Sequence, residues 1–220
     1  MDVLAYANGY TDEDVRCQSP LPLCEETCVL ENNRHLMNDI ITFRHATKDD
    51  ALFIARGFHM AMLYEDASEE QISNFARNIC IREDVLYSWR NTIIAETDNM
   101  RAGMLTAYDG RYYHDMRIQT MSLIMQHLGI EFPGMEDEAV AGEYYLDSVA
   151  VMPEYRNRGI GRKLLRKGIE NGKALHLNVT LAVDPINERA KKLYRSLGFS
   201  PSGTLFIFGH DYEKLIITAK

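Results

Sequence analysis

Where an apolar run gives way to a helical pattern, the chain reads VAVMPEYRNRGIGRKLL, residues 149–165. The start of a helix leaves backbone N–H groups without partners and carries a partial positive charge, so it receives anions, phosphate above all. A glycine there removes the Cβ that would hold a bulky group away from the main chain. Arg156, Arg158 and Arg162 surround Gly159 and Gly161 with cationic donors, with Asn157 and Ile160 between them. Strand, short loop, Gly-x-Gly and helix in that order predict a cradle for a diphosphate.

Two familiar nucleotide motifs fail here. A dinucleotide fingerprint needs glycine three residues after Gly161, where Leu164 stands, and no G-x-x-x-x-G-K-[ST] string occurs in the chain. Arg156-x-x-Gly159-x-Gly161 instead resembles the [Q/R]-x-x-G-x-[G/A] signature of the GNAT superfamily of N-acetyltransferases. The preceding LDSVAVMPEYR resembles that superfamily's splayed fourth strand and pyrophosphate loop. Asn187-x-x-Ala190-x-x-Leu193-Tyr194-x-x-Leu197-Gly198-Phe199 resembles its following helix, which ends in Gly-Phe. The resemblance covers about residues 40–220 and leaves an extension and a Met-rich insertion unexplained.

The resemblance implies acetyl-CoA as acetyl donor, and the cysteine and histidine spacings lead us to expect no metal. The main chain of Val149 and Val151, with Ala150 between them, would lie along the pantetheine arm. The amides from Arg158 to Arg162 would hold the pyrophosphate, with Arg156 and Asn157 leading into the turn and Asn187 beside the arm. Tyr194 occupies the place where the family sets a phenol against the cofactor sulfur as general acid; the plainer reading is a packed helix tyrosine. Strand alternation puts Glu143, Tyr145, Asp147, Val149 and Val151 on one face. Asp147 then falls near the acetyl group, either as a base whose pKa partial burial would raise or as an anion that positions the amine. Glu143 and Tyr145 are second choices.

The elements that must position these residues can be read on either side. IITFRHAT is a short strand, and Thr47 to Asp50 forms a capping box opening DDALFIARGFHMAML, with Leu52, Ile54, Ala55, Phe58 and Met62 on one face. Ser68-Glu69-Glu70-Gln71 starts a second helix. NTIIAETD and AGMLTAYD are strands joined at Asp98-Asn99. Between the third and fourth strands lies a helical insertion whose Met116, Ile118, Met121, Ile124, Met125 and Leu128 give an apolar stripe ending at Gly129. Then follow EYYLDSVAV as a strand, a helix ending at Gly172, LNVTLAVD, a helix ending at Gly198, and two strands around Gly209-His210-Asp211. The fold class expected is α/β (α+β): a GNAT-like mixed, centrally splayed sheet of about six to seven strands flanked by helices. Residues 1–39 read as an N-terminal extension, with a short helix near 24–37, and residues 40–220 as the acetyl-CoA-binding N-acetyltransferase domain.

The chain has 220 residues, 46% hydrophobic and 25% charged, with formal net charge −8. That acidity argues against nucleic acid as a partner and is compatible with a cationic substrate. No apolar stretch is long enough to span a membrane and the N-terminus has no signal-peptide pattern, so the expected location is the cytoplasm. Cys17, Cys24, Cys28 and Cys80 fit no zinc spacing and read as free thiols. No histidine pairs with another at metal-ligand spacing; His114, at the start of the insertion, is the one nearest a prospective lid, and Trp89 and Arg90 are candidates for the acceptor side. Asp109, Asp115, Glu136, Asp137 and Glu138 flank or lie in the insertion, facing either groove or solvent. The expected activity is direct acetyl transfer from acetyl-CoA to a primary amine on a small molecule or peptide; the alternative is a non-catalytic acyl-CoA sensor or regulatory module. The apolar stripe and the terminal hairpin each offer a homodimer surface.

Overall fold

The computed structural model describes residues 40–61, 67–131 and 133–219. The expected extension, its short helix, Cys17, Cys24, Cys28 and Met62 lie outside the described residues. Seven strands form one sheet in the order β1-β2-β3-β4-β5-β7-β6: β1 (Thr42–His45), β2 (Thr92–Thr97), β3 (Met100–Asp109), β4 (Glu143–Val151), β5 (Asn178–Val183), β6 (Ser200–Ile207) and β7 (His210–Ile217). All neighbours pair antiparallel except β4 and β5. Asp98 and Asn99 both have positive φ, which suits the tight β2–β3 turn the sequence predicts there.

On one face lie α1 (Ala51–Ala61), α2 (Glu69–Phe75) and α3 (Tyr113–Leu128), packed with Met104, Tyr108, Tyr145 and Ala150 of the sheet. On the other lie α4 (Ile160–Ala174) and α5 (Glu188–Ser196), packed with Leu105, Leu146, Val179 and Leu181. The alternation of Ile160, Leu164, Leu165 and Ile169 with basic residues makes α4 amphipathic, and burying each of these side chains contributes roughly 1.5–3 kcal/mol before entropy is counted. The structure corrects the expected end of α4. Gly172 lies inside the helix, because a Cβ there would stand 2.6 Å from Val179 Cγ2, so glycine permits close seating on the sheet. Leu52 is half exposed, and Gly57 and His59 take the buried face of α1 in its place. Ile118 and Met125 of the predicted stripe are also exposed, while Leu123 and Ile124 are buried.

The Thr47–Asp50 capping box is present, with Thr47 N donating to Asp50 Oδ2 at 2.8 Å. Asp50 is buried and also receives Arg44 Nη1 at 2.7 Å and Arg101 Nε at 3.0 Å, tying β1 and β3 to the start of α1. Burial raises its carboxyl, but the Arg44 fork and Thr47 outweigh this and hold it at about 2, below the ordinary 3.8. A depressed carboxylate contributes stability above its unfolded pKa and loses it as pH falls through the folded one. Asp50→Ala is therefore expected to cost about 3 kcal/mol at pH 7, measured by urea unfolding, and the deficit should shrink as pH falls from about 4 toward 2.

A second tight point sits beside the insertion. A Cβ on Gly110 would lie 2.3 Å from the carbonyl oxygen of Val140. Gly110→Ala should cost about 1–3 kcal/mol and displace the loop after α3; a thermal melt indistinguishable from the parent would refute this.

Candidate active site

β4 and β5 pair only at Glu143↔Asn178, Tyr144↔Val179 and Tyr145↔Thr180, and beyond Tyr145 they part. On its other side β4 stays paired with β3 as far as Val151, and Met152 N donates to Ala102 O at 2.9 Å. By alternation the main-chain groups of Ala150 also face β3, and those of Val149 and Val151 face the gap. Strand-edge amides left beside a gap need a partner. Beneath this edge an open cleft of about 420 Å³ is lined by Val149, Val151, Gly161, Arg162, Leu165 and, from α5, Arg189, Ala190, Lys192, Leu193, Tyr194 and Ser196.

The glycine turn forms the upper end of the cleft. Asn157 and Gly159 have φ of 62° and 75°, the left-handed region, and Gly159 caps α4. The first bond in α4 runs from Lys163 N to Gly159 O, so the amides of Ile160, Gly161 and Arg162 precede it. The Ile160 side chain is buried below. The arginines brace the turn: Arg156 Nε donates to Val151 O at 3.3 Å, Arg158 Nη2 to Glu154 O at 3.3 Å, and Arg162 Nη1 to Ser196 Oγ at 2.9 Å. Asn187 caps α5, its Oδ1 accepting from Ala190 N at 2.9 Å, and does not line the cleft. It sets the helix that carries Tyr194.

A smaller cavity of about 50 Å³ adjoins the cleft and shares lining residues with it. Tyr194 lines both spaces, with Val149 and Leu165; Asp147, Ser148, Glu138, Tyr145, Phe208 and Tyr212 line only the inner one. Tyr194 is buried and packs edge-on against Phe199 at 6.0 Å.

One register shift corrects the predicted alternation on β4. Thr106 pairs with Ser148 but Ala107 pairs with Leu146, so Asp147 is an extra residue. Tyr145 and Ala150 consequently share one face, while Leu146, Val149 and Val151 pack on the other. Asp147 thus parts company with Val149. Its carboxylate accepts hydrogen bonds from the Tyr108 hydroxyl and Ser148 Oγ. Burial raises its pKa, and those two bonds hold the rise in check.

Glu138 emerges as a site residue that the sequence marks only as one of five carboxylates near the insertion. It is buried, with Oε1 accepting from Tyr113 Oη at 3.0 Å and Oε2 from Tyr145 Oη at 2.6 Å. Burial first and the charge of Asp147 second push it up to about 7. Its neighbours are spent on fastening the loop. Asp137 accepts from His114 Nδ1 at 2.8 Å and meets Arg117 Nε at 2.9 Å, and Glu136 Oε2 accepts from Phe206 N at 2.7 Å. Asp109 caps the turn before α3 through Arg111 N at 2.9 Å. Glu143, the second-choice carboxylate, pairs with Lys214 at 2.8 Å and does not line the inner cavity. Trp89 and Arg90 also lie away from it, the guanidinium 5.4 Å above the indole ring. Cys80 is buried, which raises its thiol pKa, and His59 Nδ1 donates to Ala55 O at 2.8 Å from within the core.

The model of the acetyltransferase (GNAT) family matches residues 60–199. The chain belongs to the GNAT acetyltransferase family. Among relatives in this family, a stretch of 61 residues is 38% identical to the N-alpha-acetyltransferase RimI of Mycobacterium tuberculosis, which is 28% of this chain and 37% of that relative. An N-acetyltransferase from Staphylococcus aureus Mu50 superposes with a TM-score of 0.65 at 26% identity, over 80% of this chain and 100% of that one. The protein yncA of Salmonella typhimurium, solved with its cofactor acetyl-CoA, shares the fold with a TM-score of 0.53 at 18% identity, over 82% of this chain and 95% of that one. The splayed β4–β5 pair and the glycine turn described above lie within the matched residues.

Proposed function

We propose that residues 40–220 form an acetyl-CoA-dependent N-acetyltransferase domain that moves acetyl directly to a primary amine. The observation that carries this reading is an open cleft adjoining a cavity lined by two carboxylates, with Tyr194 lining both. The amides of Ile160, Gly161 and Arg162 and of the preceding turn would hold the diphosphate of CoA. The free edge of β4 at Val149 and Val151 would pair with the amides of the pantetheine arm as a substitute strand. Arg162, reaching from the cleft wall to Ser196, would add a charge-assisted contact.

On this reading the thioester would lie in the gap between β4 and β5. The amine loses a proton, attacks the carbonyl carbon, and the C–S bond breaks. Tyr194 supplies the proton to the departing thiolate as general acid, from its position where cleft and cavity meet. Asp147 stands at the same gap as a carboxylate able to hold the amine in line.

The test is release of free CoA from acetyl-CoA over a panel of small amines, amino acids and basic peptides, corrected for hydrolysis. Amine-dependent release supports an enzyme. Tight acetyl-CoA binding with no acceptor turned over would make the domain a non-catalytic acyl-CoA module.

A further inference from the structure

Glu138 does not belong to the strand that lines the gap. It arrives from residues 133–142, between α3 and β4, yet it ends buried in the same cavity as Asp147 and Tyr194. Three features of its placement go beyond packing. It is held by two phenols, Tyr113 from α3 and Tyr145 from β4, which fix both carboxyl oxygens. The loop that carries it is fastened by the two residues just before it, Asp137 to His114 and Arg117 and Glu136 to Phe206. Asp147, the other carboxylate in the cavity, is held in the same way by Tyr108 and Ser148, so two acids share one space.

We propose that Glu138 is the group that takes the proton from the acceptor ammonium, and that Asp147 is the neighbouring anion that makes it basic enough to do so. This rests on the acetyltransfer reading above. The two carboxylates share a buried space, so ionising both is costly and the pair retains a proton until the pH approaches neutrality. An acceptor entering as R–NH3⁺ relieves that repulsion. One N–H bond breaks and its proton passes to the Glu138 carboxylate. The neutral amine forms the C–N bond to the acetyl carbon, the C–S bond breaks, and Tyr194 protonates the sulfur. The nitrogen, now carrying the second surplus proton, returns it to Tyr194, and Glu138 releases its own to water. The sum is R–NH3⁺ plus thioester giving amide, thiol and one proton. A base working near neutral pH is the useful kind for an amine that enters charged.

The ionisable groups facing the pair are Tyr108 of β3, Tyr113 and Arg117 of α3, Tyr145 of β4 and Tyr212 of β7. The phenols are all raised above their ordinary value, by burial first, so they stay neutral and donate across the working range. Arg117 lowers Glu138 and opposes Asp147.

The experiment is the pH dependence of kcat/KM for amine acetylation in the parent, Glu138→Gln and Asp147→Asn, with acetyl-CoA affinity measured for each. Both variants keep the shape of the side chain and a hydrogen-bonding oxygen, and circular dichroism checks their fold. The parent should show an ascending limb with an apparent pKa near 7. Glu138→Gln should lose that limb and drop about 10²–10³-fold in kcat with acetyl-CoA affinity unchanged. Asp147→Asn removes a like charge, so the limb should move to lower pH. A folded Glu138→Gln protein with parental kcat and limb overturns the assignment alone. A parent that binds acetyl-CoA but acetylates no amine overturns the acetyltransfer reading and this assignment with it.

Discussion

Tyr194→Phe is expected to lower kcat by about 10²–10⁴-fold while leaving acetyl-CoA affinity within a few-fold of the parent. The substitution removes one oxygen from a ring that is buried between the cleft and the inner cavity and packed on Phe199. The ring stays, so α5 keeps its packing on the sheet. What goes is the proton for a departing thiolate in a place walled by Leu165, Leu181 and Val149, where water cannot readily stand in. Steady-state rates with a saturating amine, alongside calorimetric binding of acetyl-CoA, separate the two effects. The loss should be smaller with an acyl donor whose leaving group is a weaker base, because such a thiolate needs less help. Equal rates for the Phe variant and the parent would take Tyr194 out of the chemistry and leave it as packing.

Gly161→Asp is expected to weaken acetyl-CoA binding about 10²–10³-fold without unfolding the protein. Gly161 is the second residue of α4, and a Cβ there would meet Val151 Cγ2 at 3.6 Å, an ordinary contact. A carboxylate in the first turn of a helix is favourable by roughly 0.3–1 kcal/mol. The fold therefore tolerates the change, whereas Gly159, with φ of 75°, would add backbone strain and confuse the result. The new charge projects toward the cleft that Gly161 lines. Repulsion between it and a diphosphate a few ångströms away is worth about 4 kcal/mol at a surface-like dielectric, so affinity should fall about 10²–10³-fold. Unchanged affinity in a protein with a parental melting curve would mean that the diphosphate lies elsewhere.

Much of this architecture was legible because it depends on local rules. The β4 strand, the glycine turn and α4 follow from β-branched content, a left-handed glycine and a 3.6-residue apolar repeat, each confined to a few residues. Gly198, with φ of 100°, ends α5 as expected. The failures share a cause. Strict alternation put Asp147 with Val149, but the bulge opposite Thr106 and Ala107 arises in the pairing of two strands and leaves no mark on β4 alone. Gly172 reads as a stop until Val179 and Tyr144 are placed against it. Glu138 is the third member of an acidic run after a Pro-Gly turn, a context that normally faces water. Only the meeting of Tyr113 and Tyr145, 32 residues apart in sequence, reveals why it is buried.

The single inserted residue in β4 gives the strand two allegiances. On the proposed reading its edge at Val149 and Val151 and the helices below would serve one partner of the exchange, while Asp147 shares the inner cavity with Glu138 of the loop after α3 and with Phe208 and Tyr212 of the terminal hairpin. Changes to Met135, Phe208 or Tyr212 should therefore retune which nucleophile is accepted and spare the nucleotide grip. Such a bilateral division lets selection, or an engineer, rewrite the customer while the supply line stays intact.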